Sequence, residues 1–148
     1  MKLTASVSGD KAVRAEMLRL GTLARRALDA TAVEVEDYIK AEAGQHTRPG
    51  GTGALVRSIY KQRIPDGWEL GHDLQHAPHA RWVHWGARPH VIRPRHKKAL
   101  RWANGGAFVF ARVVHHPGHK SDQWLVRAAA RAPRIFEQHL MALRGRGA

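Results

Sequence analysis

The hydrophobic pattern of residues 11–43 has the period of an amphipathic helix, because mostly apolar residues recur there at alternating steps of three and four. Asp10 is placed to cap the first turn, and Gly44 is placed to end the helix. The stripe predicts a long helix that packs on the core or, given its length, on a neighbouring subunit. Its members are Val13, Met17, Leu20, Ala24, Ala27, Leu28, Thr31, Val35, Tyr38 and Ile39.

A glycine-rich segment, GQHTRPGGTGAL, follows at residues 44–55. Its GGTG is reminiscent of a phosphate-binding loop, but no strand precedes it and no Gly-Lys-Ser/Thr follows it. We therefore expect a loop that leads into a short turn.

Between residues 55 and 115 the pattern changes to that of short strands. Segments 58–64 and 68–73 flank Pro65-Asp66-Gly67, a strong turn sequence, and so predict a β-hairpin. A third strand is predicted at 81–85, and a fourth at 107–114. Residues 86–106 between them are expected to form one long loop, and loops of that length in compact domains are usually functional.

The fourth predicted strand is apolar on both of its faces. A strand covered on both sides is either sandwiched within its domain or covered by a partner chain. Trp82 and Trp85 would lie on opposite faces of the third strand, so at least one of them is expected to be exposed in a monomer. The two faces of the fourth strand consist of Phe108, Phe110 and Val114, and of Val109, Ala111 and Val113.

A second helix is predicted at residues 121–143, with Ser121 as its N-cap and Asp122 at the positive end of its dipole. Pro133 predicts a kink or a break inside this helix, and residues 144–148 are expected to form a frayed tail. The complete pattern predicts a single α+β domain over residues 1–148. In it, the two helices pack on an antiparallel sheet of about four strands.

Charge is distributed unevenly along the chain, which has a formal net charge of +13. Residues 1–60 carry nine basic and seven acidic side chains, whereas residues 61–148 carry sixteen basic and five acidic ones. Between Asp73 and Asp122 there is no acidic residue at all. Such asymmetry indicates contact with nucleic acid or another polyanion, although a solvated basic surface that only maintains solubility has the same composition.

The eleven histidines suggest a metal site, and the best group for one is His115, His116, His119 and Asp122. However, His115 and His116 would point apart on a strand, and Pro117-Gly118 implies a tight turn. Polar loop histidines are the favoured interpretation, so we expect neither a metal nor another cofactor. A histidine metalloenzyme remains a third class that a measurement of bound metal would test.

No catalytic constellation is visible, so we expect no enzymatic activity. The chain has no cysteine, and none of Ser6, Ser8, Ser58 and Ser121 lies in a nucleophile elbow. The carboxylates of Glu34, Glu36 and Asp37 belong to a solvated helix face. The N-terminal sequence lacks the apolar run of a signal peptide, and no segment approaches the ~18 apolar residues that cross a bilayer. Residence in the cytoplasm without a membrane contact is expected.

The aromatic and basic side chains of the acid-free stretch indicate two contact surfaces. Aromatic residues and arginine are enriched both at protein interfaces and in platforms that stack single-stranded nucleic acid; the long covering helices favour the interface. The residues expected at a subunit interface are Trp82, Val83, Trp85, Phe108, Val109, Phe110 and Val113. Those expected to contact DNA or an acidic partner are Arg88, Arg93, Arg95, Lys97, Lys98 and Arg101.

A set of ordered motifs resembles the small neck and tail-completion proteins that join head to tail in long-tailed bacteriophages and prophages. The matching segments are TGALVRSI at 52–59, ARWVHWG at 80–86, HVIRP at 90–94, KALRW at 98–102 and VHHPG at 114–118, followed by Trp124-Leu125 in the last helix. Members typically carry Glu or His before an aromatic–Gly pair, as in His84-Trp85-Gly86. The richness in His and Arg departs from the average member.

This resemblance implies an α+β subunit that assembles into a homo-oligomeric ring at the head–tail junction of the virion. Its expected partners are other neck, head-closure or tail proteins and the double-stranded DNA that passes through the ring, contacted without reading of sequence. The protein would occupy the host cytoplasm before assembly. The alternative is a non-sequence-specific nucleic-acid-binding protein that acts as a monomer or dimer.

Overall fold

The computed structural model describes residues 10–47 and 51–146, which form an α+β fold, as predicted. In these ranges the helices are α1 (Asp10–Gly44), α2 (Ala54–Arg57), α3 (Ala80–Trp85) and α4 (Trp124–Gly145). The strands are β1 (Ile59–Ile64), β2 (Gly67–His72), β3 (His90–Ile92), β4 (Leu100–Asn104), β5 (Ala107–Ala111) and β6 (Val114–His116).

The core lies where the C-terminal half of α1 meets α4. The two helices run antiparallel, since His139 Nε2 lies 2.9 Å from Glu34 Oε2 while Arg127, near the start of α4, pairs with Glu42. The core cluster is apolar apart from the Trp124 indole N–H, and it consists of Val35, Ile39, Ala43, Leu55, Ile59, Ala77, Ala80, Trp124 and Ala128. Removal of this surface from water is the main stabilising contribution to the fold.

Helix α1 is much longer than its partner, at 35 residues against 22. Because α4 ends at Gly145, six residues beyond His139, it extends only ~9 Å past the level of Glu34 at 1.5 Å per residue. The apolar stripe of α1 is accordingly buried or half-buried from Ala24 onward and exposed before it, at Val13, Met17 and Leu20. The predicted capping role of Asp10 lies outside the side chains that the structure describes.

The first hairpin is confirmed. Strands β1 and β2 pair antiparallel from Ile59↔His72 to Ile64↔Gly67. The hairpin is held against α1 by polar contacts: the Trp68 Nε1–H donates to Asp29 Oδ1 at 2.9 Å, and Lys61 forms an ion pair with Glu36. The glycine-rich segment leads, as expected, into the single turn of α2; its residues 48–50 lie outside the described ranges.

The prediction of one sheet of about four strands is wrong, because the described strands form three separate antiparallel pairs: β1–β2, β3–β6 and β4–β5. The strand predicted at 81–85 is instead the helix α3. Trp82-Val83-His84-Trp85 fits a strand locally, but one helical turn brings Ala80 and His84 together against the core, and that packing outweighs local propensity.

The long loop predicted at 86–106 is also wrong, since β3 and β4 lie within it. Gly105 and Gly106 have φ of 59° and 88°, the two positive values of a type I′ turn, and so connect β4 and β5 as a two-residue hairpin. The strand predicted at 107–114 divides at Arg112 and Val113 into β5 and β6, which belong to different pairs.

Helix α4 confirms the predicted C-terminal helix with different ends. It begins at Trp124, and Gln123 rather than Ser121 occupies the N-cap position. Pro133 causes no break, because the helix continues to Gly145. Pro133 and Ala129 are both exposed, so water can reach the Ala129 carbonyl that lacks a helical donor. Helix α4 thus includes the start of the predicted tail; residues 147–148 are outside the described ranges.

Candidate functional site

Helix α3 forms the first part of the candidate site and is fixed to the core by one face. Ala80 and His84 lie one turn apart on that face and are buried. The His84 ring packs against the fully buried Trp124, with 4.9 Å between ring centroids. The Asp122 backbone N–H donates to the Val83 carbonyl at 3.3 Å. The position of α3 therefore depends on the start of α4.

Trp82 and Trp85 lie on the opposite, exposed side of α3, with 51% and 62% of their surface accessible. Residues three apart in a helix are neighbours on its surface, so the expectation that these two tryptophans lie on opposite faces is wrong. The Arg81 guanidinium lies 4.4 Å from the Trp82 ring, a cation–π contact. Val83 packs partly against the core, which leaves the two indoles as the exposed apolar surface of α3.

Two glycines allow the segment after α3 to approach the segment before α4. Ala87 and His119 form an isolated bridge with backbone hydrogen bonds of 2.9 and 2.8 Å. Gly86 and Gly118 have φ of 82° and 86°, and a Cβ on Gly118 would lie 2.5 Å from the Ala87 carbonyl oxygen. Only glycine combines this backbone conformation with this proximity. This junction between Ala87 and His119 holds together the two ends of the aromatic and basic segment, residues 87–119.

The β4–β5 hairpin carries the second aromatic surface. Its register pairs Arg101 with Phe110 and Ala103 with Phe108, and paired residues share a face of the hairpin. Phe108 and Phe110 are 59% and 65% exposed, and the Arg101 guanidinium lies 4.5 Å from the Phe108 ring. This face is therefore a large aromatic surface left in contact with solvent. Strand β5 is not covered on both sides within the described chain.

The opposite face of the β4–β5 hairpin is partly buried. It contains the third residue of β5 that was expected at a subunit interface. Val109 lies there opposite Trp102, which is still 41% exposed. Val113 lies outside the strands and is half-buried. Trp102 shares this opposite face with Val109, and its place there was not expected from sequence. The sequence signal for it is the Asn104-Gly105-Gly106 turn, which pairs the strand of Trp102 with β5.

The six predicted cationic contacts are all exposed, and in the described part of the chain none of them has an ion-pair partner. Arg88 and Arg93 flank β3, Arg101 lies on β4, and the others lie on the segment between these strands. That segment holds Arg95, Lys97 and Lys98. Unpaired exposed cations on one segment produce a positive potential that attracts phosphates or carboxylates.

A groove of about 1110 Å³ opens beside α3 and the β3–β6 pair. No carboxylate lies among its described lining residues, whereas Trp82, Arg88 and five histidines do. The rings of His90 and His116 stack with 4.9 Å between their centroids. The histidines of the groove are His46, His79, His90, His116 and His119. Its surface is suited to an aromatic or acidic group of a partner.

The group expected to be the best metal site is not brought together. In residues 10–47 and 51–146, no cluster of three or more His, Cys, Asp or Glu side chains has metal-binding geometry. Asp122 instead contacts His46 at 2.8 Å and pairs with Arg127, whose hydrogen bond is the main reason that the pKa of Asp122 is lowered. This carboxylate connects the segment after α1 to the start of α4.

A buried polar chain beside the site was not expected from sequence. The Trp124 Nε1–H donates to His72 Nε2 at 3.0 Å, so that nitrogen acts as the acceptor. The His72 proton must then lie on Nδ1, which donates to Ser58 Oγ at 2.8 Å, and Ser58 donates to the Leu55 carbonyl. Burial lowers the pKa of His72, consistent with a neutral ring. This chain orients Trp124, on which α3 rests.

Comparison with protein-family models, with curated proteins and with solved structures finds no match to this chain. Within the described ranges, none of the helices has the length and apolar character to cross a bilayer.

Proposed function

We propose that this protein is a structural subunit of a ring at the head–tail junction of a long-tailed bacteriophage, a neck or tail-completion protein through which DNA passes. The observation that carries the proposal is the exposure of four aromatic side chains on two elements, helix α3 and the β4–β5 hairpin. They are Trp82, Trp85, Phe108 and Phe110. Exposed aromatic patches of this kind mark protein–protein contacts.

A ring fits this arrangement better than a symmetric dimer. Ring contacts are heterologous, so that one surface of a subunit meets a different surface of the next. The α3 surface and the β4–β5 hairpin are two such separate aromatic surfaces. The groove beside α3 offers an aromatic and imidazole lining on which a phenylalanine of a neighbouring hairpin would pack.

The unpaired cations supply the second part of the proposal. Arg88–Arg101 would face either the DNA in the channel or an acidic surface of an adjoining neck protein. Contacts with phosphates would be insensitive to base sequence, because the phosphate groups are the same at every nucleotide. No catalytic step is part of the proposed role.

Two variants in the phage genome test the assignment. Trp85→Ala should impair joining of heads to tails, because it removes an exposed contact. Lys97→Glu combined with Lys98→Glu should leave folding intact and alter joining or DNA passage, since both side chains are exposed and unpaired. Charge-preserving Lys97→Arg with Lys98→Arg is the matched control and should behave as the wild type. Normal virions from both test variants, counted by electron microscopy, would show these sites to be misassigned.

The alternative is a non-sequence-specific nucleic-acid-binding protein, and the same unpaired cations support it. It requires a stable monomer or dimer with tight, salt-sensitive DNA binding, and absence of the protein from virions. Mass spectrometry of purified particles together with DNA binding measured at two salt concentrations discriminates the two functions. Presence in the particle with weak DNA binding by the free subunit supports the junction role.

A further inference from the structure

The N-terminal part of α1 continues the apolar stripe of the core into solvent. Val13, Met17 and Leu20 are 60%, 67% and 42% exposed. They lie on the same side of the helix as the buried Ala27 and Thr31, because the steps between successive members of the stripe remain three and four. Among the residues that the structure describes, no element covers the exposed half of this stripe.

The spacing of this exposed stripe indicates the shape of what covers it. Val13, Met17, Leu20 and Ala24 follow steps of four, three and four, which is the narrow seam of two helices packed side by side. A β-strand or a flat surface would contact a broader set of positions. In its C-terminal half α1 packs in this way against the helix α4. The exposed half is therefore suited to another helix.

Charge around the stripe indicates the composition of that helix. From Asp10 to Arg26, α1 carries five basic and two acidic side chains, and one of the two, Glu16, pairs with Arg19 at 2.8 Å. The end of α4 adds Arg144, which acts on the carboxylate of Glu16. Lys11, Arg25 and Arg26 are exposed on the same half of the helix. A partner with carboxylates beside its apolar seam would complement these cations.

A second copy of this chain does not offer that composition. In the described residues, eight carboxylates already contact a basic or hydroxyl group of the same chain, namely Glu16, Asp29, Glu34, Glu36, Glu42, Glu69, Asp73 and Asp122. The exposed Asp37, Asp66 and Glu137 lie apart, on α1, in the β1–β2 turn and on α4. Pairing two α1 helices would place like charges beside each other, which is destabilising.

We infer that the N-terminal part of α1 binds an acidic amphipathic helix of a different protein, along the seam formed by Val13, Met17, Leu20 and Ala24. The surface is separate from the aromatic residues of α3 and the β4–β5 hairpin, so the inference does not depend on the proposed function. It places a heterologous protein contact on the part of α1 that extends beyond α4.

The test uses the full-length protein and two synthetic helical peptides of three heptads. Both peptides have leucine at the a and d positions of each heptad, which form the seam. At the flanking e and g positions, one peptide has glutamate and the other has lysine. Fluorescence anisotropy at a salt concentration of ~0.15 M, where the Debye length is ~8 Å, should give at least tenfold tighter binding of the glutamate peptide. Met17→Ser combined with Leu20→Ser should weaken that binding at least tenfold while retaining every charge of the protein.

Leu18→Ser is the matched control, because Leu18 is 74% exposed on the same helix but lies off the seam. It should bind the glutamate peptide as the wild type does, and circular dichroism should show unchanged helix content in all variants. Equal binding of the glutamate peptide by the wild type and the Met17/Leu20 double variant would overturn the inference. So would self-association of the wild type that this double variant abolishes, since a second copy would then occupy the seam. Neither result bears on the aromatic surfaces of the proposed ring.

Discussion

Individual histidines determine how the aromatic residue at the centre of the core is held. Trp124 is enclosed by the rings of His46, His72 and His84, at centroid distances of 5.1, 5.6 and 4.9 Å. His72 accepts the indole N–H, whereas the buried Nδ1 of His84 has no hydrogen-bond partner in the described chain. Burial without a hydrogen-bond partner favours the neutral form of an imidazole over the charged form.

Acid should therefore destabilise the fold through His84. Burial is the main cause that lowers the pKa of His84 below its ordinary 6.5 in the folded state. The unfolded chain then takes up the proton first, so the stability of the folded state is complete above about pH 6.5 and falls as the pH decreases below that value. His84→Phe removes this group, and the wild type should lose more stability than the variant between pH 7 and about pH 5.

Urea unfolding of the two proteins at each pH measures this difference. Carboxylates with a lowered pKa, such as Asp29 and Asp122, titrate below that window and contribute equally to both proteins. Equal pH dependence of the free energy of unfolding in the two proteins would contradict the assignment of a neutral, buried His84.

Gly105 and Gly118 both have positive φ, but substitution by alanine should destabilise the protein to different extents at the two positions. Gly105→Ala meets open space and should cost only the conformational penalty, about 1 kcal/mol. Gly118→Ala adds a clash with the Ala87 carbonyl and should cost at least about 2 kcal/mol, because the junction with Ala87 must open. Thermal or urea unfolding of both variants provides the comparison. If Gly118→Ala lowers the free energy of unfolding no more than Gly105→Ala does, then Gly118 does not lie as close to Ala87 as the structure places it.

At the scale of elements, long periodic segments were predictable and short ones were not. Helix α1, the hairpin around Pro65-Asp66-Gly67 and helix α4 follow from their patterns and turn residues. Helix α3 cannot be predicted from its pattern, because six residues contain too few turns to show a helical period. Its packing also depends on Trp124, which is remote in sequence. Strand β4 is hard to predict because Gly105-Gly106 is as typical of the end of a loop as of the two-residue turn that it forms.

The two halves of α1 should respond differently to the same kind of substitution. Ile39 is 2% exposed in the core, so Ile39→Ala should destabilise the isolated protein by about 2–5 kcal/mol. Met17→Ala on the exposed half should change the free energy of unfolding by no more than about 0.5 kcal/mol. Urea unfolding of the purified protein tests both. A large loss for Met17→Ala would show that the N-terminal half of the stripe is already covered within one chain.

At the scale of the whole molecule, acidic and basic side chains are separated between structural parts. Four carboxylates of α1, namely Asp29, Glu34, Glu36 and Glu42, hold α1, the β1–β2 hairpin and α4 together, while the stretch between Asp73 and Asp122 has none to pair with its cations. The candidate cations were predictable from that composition alone. The arrangement of the aromatic residues was not, because Trp82 and Trp85 share one exposed side only once α3 is helical.

Electron microscopy of phage particles produced without this protein would show directly whether it is a ring subunit at the head–tail junction. A junction subunit is required after DNA packaging and before attachment of the tail. We therefore expect filled heads and separate, complete tails, with joining restored when the purified wild-type protein is added. Normal joined virions in the absence of the protein would contradict it.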